Sequence, residues 1–237
     1  MNTIKHSRLH AHLAGLLFSL GAAIAAFPSV AAAAEAVDPN NPSLAYGSQV
    51  EYGIYRNNKR IGKHLLSFSR SDAQLKVNVV SDLTVTVLKI PVYRFNYRAG
   101  ELWQNGQLQS VDAQVREKGK TRTVSLRRAG NQMSLTEPDG SSDMVELEYA
   151  SNHWHPGVLE ADVLFNTLTG KANKITIENV GTEILQVNGE ETTATHYRYT
   201  GELQTEVWYD ERQRWVKLRF SGSDGSNIEY RCEGFNA

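Results

Sequence analysis

The chain holds a single cysteine, Cys232, among its 237 residues. No intramolecular disulfide can form, so packing must hold the fold. Cysteine is also missing around residue 34, where an exported lipoprotein would carry its lipid acceptor, and we expect an unanchored product. Long apolar runs are equally scarce. Past residue 34 each apolar stretch is short and broken by charge, well below the ~20 residues of a helical membrane span. Neither charge sign is in excess, with 25 Lys and Arg against 26 Asp and Glu. That balance argues against nucleic acid as a partner, because phosphate binding draws on a basic surplus or stripe. Many enzyme signatures are absent as well: no G-x-S-x-G elbow, no G-x-x-x-x-G-K-[ST] phosphate loop, no H-E-x-x-H, no C-x-x-C and no G-x-G-x-x-G. Catalysis by residues that the fold gathers from distant positions stays open.

What the chain does hold begins at its N-terminus. Lys5 and Arg8 precede an apolar run from Leu13 to Ala26, and small residues follow from Ala31 to Ala34, which is the pattern of a cleavable export signal. We expect a signal over residues 1–34, cleavage after Ala34, and a mature protein in the periplasm. Lys5 and Arg8 leave with the signal, so 23 basic residues face 26 acidic ones, a net charge of −3. Residues 35–45 contain Asp38-Pro39-Asn40-Asn41-Pro42 and read as a flexible leader. Residues 46–237 then read as one β-rich domain, long enough to bury a core.

Two-residue alternation runs through that domain. Val50, Tyr52 and Ile54 alternate with Gln49, Glu51 and Gly53, and Asn57-Asn58-Lys59 turns the chain into a second arm from Ile61 to Arg70. Leu75, Val77, Val79, Ser81, Leu83, Val85 and Val87 share one face of a run too long for an ordinary strand, and Ser81-Asp82 is expected to mark a bulge or bend. Strands are further expected at Tyr93 to Trp103, Leu108 to Arg116, Arg122 to Arg127 and Gln132 to Thr136. The series resumes from Lys174 to Glu233, with turns at Asn105-Gly106, Lys118-Gly119 and Gly189. Pro156 to Leu168 breaks the pattern: Leu159 with Val163 and Leu164 with Leu168 recur at four-residue spacing, and Gly170 follows as a stop. This segment is expected to be the one helix. The expected fold is mainly β, a strongly curved antiparallel sheet or half-open barrel with one packed helix.

Candidate chemistry is sparse. Ser151-Asn152-His153-Trp154-His155-Pro156 is the densest polar and aromatic cluster. On extended backbone a His-x-His pair puts both imidazoles on one side, a spacing that suits zinc, with Glu160, His64 or His196 as further ligands. The competing reading makes the histidines ordinary hydrogen-bonders, with Trp154 plugging the sheet. Arg94 and Arg98 share a strand face and can clamp a carboxylate or phosphate head group, or else pair with Glu101 and other carboxylates on a solvated face. Trp103, Trp208 and Trp215 can line an apolar pocket or simply build core. Cys232 shares a face with Ile228 and Tyr230 and reads as a small buried residue.

Several motifs together carry a resemblance. Ile90-Pro91-Val92-Tyr93-Arg94, Trp154-His155-Pro156, Leu168-Thr169-Gly170, and Trp208-Tyr209-Asp210 followed by Trp215-Val216-Lys217-Leu218 span nearly the whole mature region. On these the chain resembles a family of exported Gram-negative proteins known as a domain of unknown function. The closing Trp-Tyr-Asp strand, turn and Trp-Val-Lys-Leu strand also look like the last hairpin of periplasmic carriers with the lipoprotein-carrier fold, which wraps a half-barrel around a helix. That likeness implies an apolar cavity able to hold an acyl chain.

The expected function is non-enzymatic binding of an apolar or amphipathic ligand, a lipid or lipoprotein segment, with no cofactor. Arg94, Arg98, Trp103, Trp154, Trp208 and Trp215 are the candidate ligand contacts. Two alternatives are carried beside it: a hydrolase, metal-dependent or metal-free, around His153 and His155, and an envelope assembly factor that binds another protein through a sheet edge.

Overall fold

In the computed structural model, which describes residues 36–136 and 140–236, the alternation read from the sequence becomes fifteen strands of one sheet. The export signal expected over residues 1–34 lies outside the described residues. Eight strands come first: β1 (Gln49–Arg56), β2 (Lys59–Ser71), β3 (Gln74–Val87), β4 (Ile90–Gln104), β5 (Gln107–Glu117), β6 (Lys120–Ala129), β7 (Gln132–Thr136) and β8 (Ser142–Val145). Seven follow: β9 (Tyr149–Ala150), β10 (Val163–Asn166), β11 (Lys171–Val187), β12 (Glu190–Gly201), β13 (Thr205–Asp210), β14 (Trp215–Ser221) and β15 (Asn227–Asn236). Neighbours pair antiparallel, except that β9 and β10 run parallel.

Tight turns set the register. Asn57-Asn58, Asn105-Gly106, Lys118-Gly119 and Asn188-Gly189 all take positive φ at both positions, the hairpin geometry whose twist matches that of the flanking strands. Leu88-Lys89 does the same without an Asn or Gly. The expected bend at Ser81-Asp82 is not there. β3 runs through it without a break, and the register shift lies at Val85/Thr86, so Ser81 keeps its place on the inner face.

β15 pairs with β1, so the two meanders join mid-sheet and the edges are β8 and β9. Val145 and Tyr149 sit on those opposite edges, four steps apart along the chain, and can lie no more than ~14 Å from each other. Laid flat, fifteen strands at ~4.8 Å spacing would spread about 65 Å. The sheet is therefore curled until its edges approach, without hydrogen-bonded closure into a barrel.

The helix expected over Pro156 to Leu168 does not form. Pro156–Glu160 make one 3-10 turn, opened by His155 Nδ1 accepting from the Gly157 amide at 3.0 Å, and Val163–Asn166 is strand β10. Leu164 and Phe165 are both fully buried, so this short strand is apolar on two faces and shows no alternation that would mark it as a strand.

Residues 35–45 are expected as a flexible leader, but from residue 36, where the described residues begin, the chain packs onto the sheet. The Val37 amide donates to the Arg212 carbonyl at 2.9 Å, and helix α1 (Ser43–Tyr46) carries a fully buried tyrosine. The Tyr46 hydroxyl donates to the Trp154 carbonyl at 3.0 Å and accepts from the Trp215 amide at 2.7 Å.

The chain between β9 and β10 packs inside the curl, with Asn152, His153, Trp154, His155 and Val158 buried. Trp154 packs edge-on against Phe68 of β2 and Trp103 of β4, while Tyr209 of β13 donates to the His153 carbonyl at 2.7 Å. Both halves of the sheet thus grip one segment. Glu101 of β4 is its buried anchor, accepting from Asn152 Nδ2 and, at 2.8 Å each, from the indoles of Trp103 and Trp154. Burial raises the Glu101 pKa, and the three donors oppose that rise.

Candidate functional site

Register lines up a row of inward side chains. Tyr97 of β4 stands opposite Ser81 of β3, Ser81 opposite His64 of β2, and His64 opposite Tyr52 of β1, all four buried. Directly paired residues of antiparallel strands share a face, so a polar residue at one inward position meets its neighbour's inward residue. His64 Nδ1 and Ser81 Oγ are 2.5 Å apart. Tyr230 of β15 lies beside the row, and burial pushes its phenol up to about 12, an effect that Ser81 opposes.

Beside this row lies a cavity of about 180 Å³. Trp215 and Leu218 of β14 wall it, together with Tyr230, Tyr97 and His153. Phe95, Leu168, Leu203 and Phe220 line it with partly exposed side chains that form an apolar rim. None of the lining residues is Lys, Arg, Asp or Glu.

Two imidazoles reach this space. His64 Nε2 and His153 Nδ1 are buried and have no hydrogen-bond partner among the described residues. Burial pulls the His64 pKa down to about 3, with His153 adding to the effect, and pulls His153 down to about 4. Both rings are neutral at pH 7. A neutral imidazole offers one donor and one acceptor, and a buried polar atom left unpaired costs about 1–3 kcal/mol. The cavity can therefore hydrogen-bond a guest at two points while its walls take up apolar surface.

The residues singled out in the sequence divide around this site. Trp215 and His153 line the cavity. Trp103 and Trp154 do not, being committed to Glu101. Trp208 is buried on the opposite face of β13 from Val207 and Tyr209, stacked on His196 at 4.2 Å with Lys217 Nζ 4.3 Å from its ring. Arg94 and Arg98 are exposed on the outer face because Phe95 and Tyr97 take the inner one. Asp82 holds the Arg98 guanidinium through two contacts of 3.1 Å. Neither arginine can orient a head group in this cavity. Glu101, considered as their partner, faces inward.

The two neighbouring histidines have separate surroundings. His153 takes φ 59, so the backbone is not extended there and the rule that places alternate side chains on one side does not apply. His155 instead stacks on Trp103 at 4.9 Å, and burial pulls its pKa down to about 4. His196 pairs with Glu206 at 2.6 Å and Glu183 at 3.2 Å, while Glu160 is exposed. Among the described residues no group of three His, Cys, Asp or Glu side chains is placed to hold a metal ion. Cys232 is buried, which pushes its thiol up to about 12.

From sequence, His64 enters only as a candidate metal ligand and Ser81 only as a bend, yet both line the cavity. The signal was present in parity: His64 shares its face with Leu66 and Phe68, and Ser81 shares its face with Val77 and Val79.

Residues 52–233 match the family described as Domain of unknown function (DUF6134). The chain belongs to this family. The match begins at Tyr52, one end of the inward row, and takes in every cavity-lining residue. No curated protein matches the chain.

Proposed function

We propose that this protein is a non-enzymatic binding protein of the periplasm, exported by its N-terminal signal, that encloses a small apolar or amphipathic molecule inside its curled sheet. One observation carries the reading: an aromatic-walled cavity lined by two buried imidazoles, each with an unpaired nitrogen.

Size narrows the guest. The space of about 180 Å³ is close to the ~150 Å³ of a protein cavity that holds benzene, and below the ~300–1,000 Å³ of drug-sized pockets. A ring or a short chain fits within, and the longer tail of a lipid would pass over the apolar rim. Burying about 150 Å² of apolar surface contributes ~4 kcal/mol, which alone supports binding only near millimolar. Useful affinity then depends on hydrogen bonds to the floor of the cavity.

The other readings draw less from the structure. A hydrolase centred on His153 and His155 would need rings that share a substrate, and these have different neighbours. Pairing through a sheet edge would start from strands only four residues (β8) and two residues (β9) long.

Native mass spectrometry of the mature protein, joined to organic extraction and titration with an apolar fluorescent probe, tests the proposal. A co-purifying small molecule or saturable probe binding is the expected result. Empty protein together with a probe that never saturates would overturn it.

A further inference from the structure

We infer that the cavity selects an uncharged guest: a compact, largely apolar molecule bearing one hydroxyl, which meets the unpaired nitrogens of His64 and His153. This rests on the reading of the cavity as a ligand site.

Charge is what the site is built without. Every group lining the cavity is apolar, aromatic, hydroxyl, amide or imidazole, so a carboxylate or phosphate entering it finds no cation. An ion stripped of water and left unpaired loses far more than the walls return. Arg94, Arg98, Arg219 and Arg231 each adjoin a lining residue in sequence and stand on the outer face by strand parity, and Arg214, next to Trp215, is held by Asp210. Protonating a histidine would supply a cation, but both rings resist protonation at pH 7 because they are buried. An ammonium group fares no better. The rings of Trp215 and Tyr230 offer it cation–π attraction, worth ~2 kcal/mol when desolvated, but no carboxylate compensates its lost hydration.

A hydroxyl matches the imidazoles in a way that an ether or a ketone, which only accept, does not. It donates once and accepts as well, so it satisfies either tautomer of either ring. Ser81 engages His64 Nδ1, which leaves Nε2 as the nitrogen free to meet a guest. Discrimination against an analogue without the hydroxyl follows, because the same nitrogens are then left buried and unpaired.

The test is an NMR titration of the whole mature protein at pH 7 with four molecules of one shape: toluene, benzyl alcohol, benzoate and benzylammonium. Benzyl alcohol is expected to bind at least tenfold more tightly than either ion and several-fold more tightly than toluene. In His64→Asn and His153→Leu the advantage of benzyl alcohol over toluene shrinks, while toluene binding persists and reports an intact cavity. Benzoate or benzylammonium binding as tightly as benzyl alcohol would overturn the inference and leave the ligand-site reading standing. Equal affinity for toluene and benzyl alcohol in the unmodified protein would remove the role of the imidazoles. Failure of both neutral molecules to bind would overturn the ligand-site reading itself.

Discussion

The indole of Trp154 donates to Glu101 at 2.8 Å and so ties the segment inside the curl to β4. The same carboxylate oxygen accepts from Trp103, and the other takes the Asn152 amide. Three buried donors depend on one side chain that has no ion-pair partner among the described salt bridges.

Glu101→Ala should therefore destabilise the protein by about 3–5 kcal/mol, since it leaves those donors unpaired in the core. Glu101→Gln keeps one acceptor for the indoles and should cost less. Urea unfolding of the three proteins checks the order.

Tyr46 gives a second measure of how the interior segment is held. Its hydroxyl bridges the Trp154 carbonyl and the Trp215 amide, so Tyr46→Phe should cost about 1–3 kcal/mol by leaving a buried amide without its acceptor. Thermal unfolding should show the loss. A chain lacking residues 36–46 should lose more, because Val37 and Ala45 are buried as well.

Acid should weaken the fold through three histidines. His64, His153 and His155 are held neutral by burial, to about 3, 4 and 4, while unfolded histidine titrates near 6.5. Below pH ~6.5 the unfolded chain takes up protons that the folded one refuses, so stability falls with pH down to about 4, each ring contributing at most ~1.4 kcal/mol per pH unit. Glu101 acts with the opposite sign: its raised pKa adds stability at low pH that is lost as pH rises through the folded value. Three rings outweigh one carboxyl. Denaturant midpoints measured between pH 7 and 4.5 should fall steadily, with a shallower slope in His155→Phe.

Arg98→Ala should change little. Its ion pair with Asp82 lies on the outer face with half the arginine side chain exposed, and such pairs contribute ~0–1 kcal/mol. Neither the thermal midpoint nor the affinity for benzyl alcohol should move appreciably.

Much of the sheet was legible because its turns carry their own chemistry. Asn57-Asn58, Asn105-Gly106 and Lys118-Gly119 announce positive φ, and the strands between them alternate cleanly. Leu88-Lys89 forms the same turn from residues that do not announce it. Leu164-Phe165 hid a strand, since burial on both faces erases alternation and left a four-residue spacing that imitates a helix. The site was harder to read because it is assembled by register across β2, β3 and β4 and by the return of β14 and β15. No stretch of sequence records that His64, Ser81 and Trp215 are neighbours. Parity alone already placed Arg94 and Arg98 opposite Phe95 and Tyr97, and it separates the outer arginines from the cavity.

Anomalous diffraction from crystals soaked in 4-bromobenzyl alcohol reads the position of a guest directly. We expect the bromine inside the cavity against Trp215, with the hydroxyl within hydrogen-bond distance of His64 Nε2 or His153 Nδ1. Bromine found only on the outer surface, with the aromatic walls closed on one another, would contradict a ligand site within the curl.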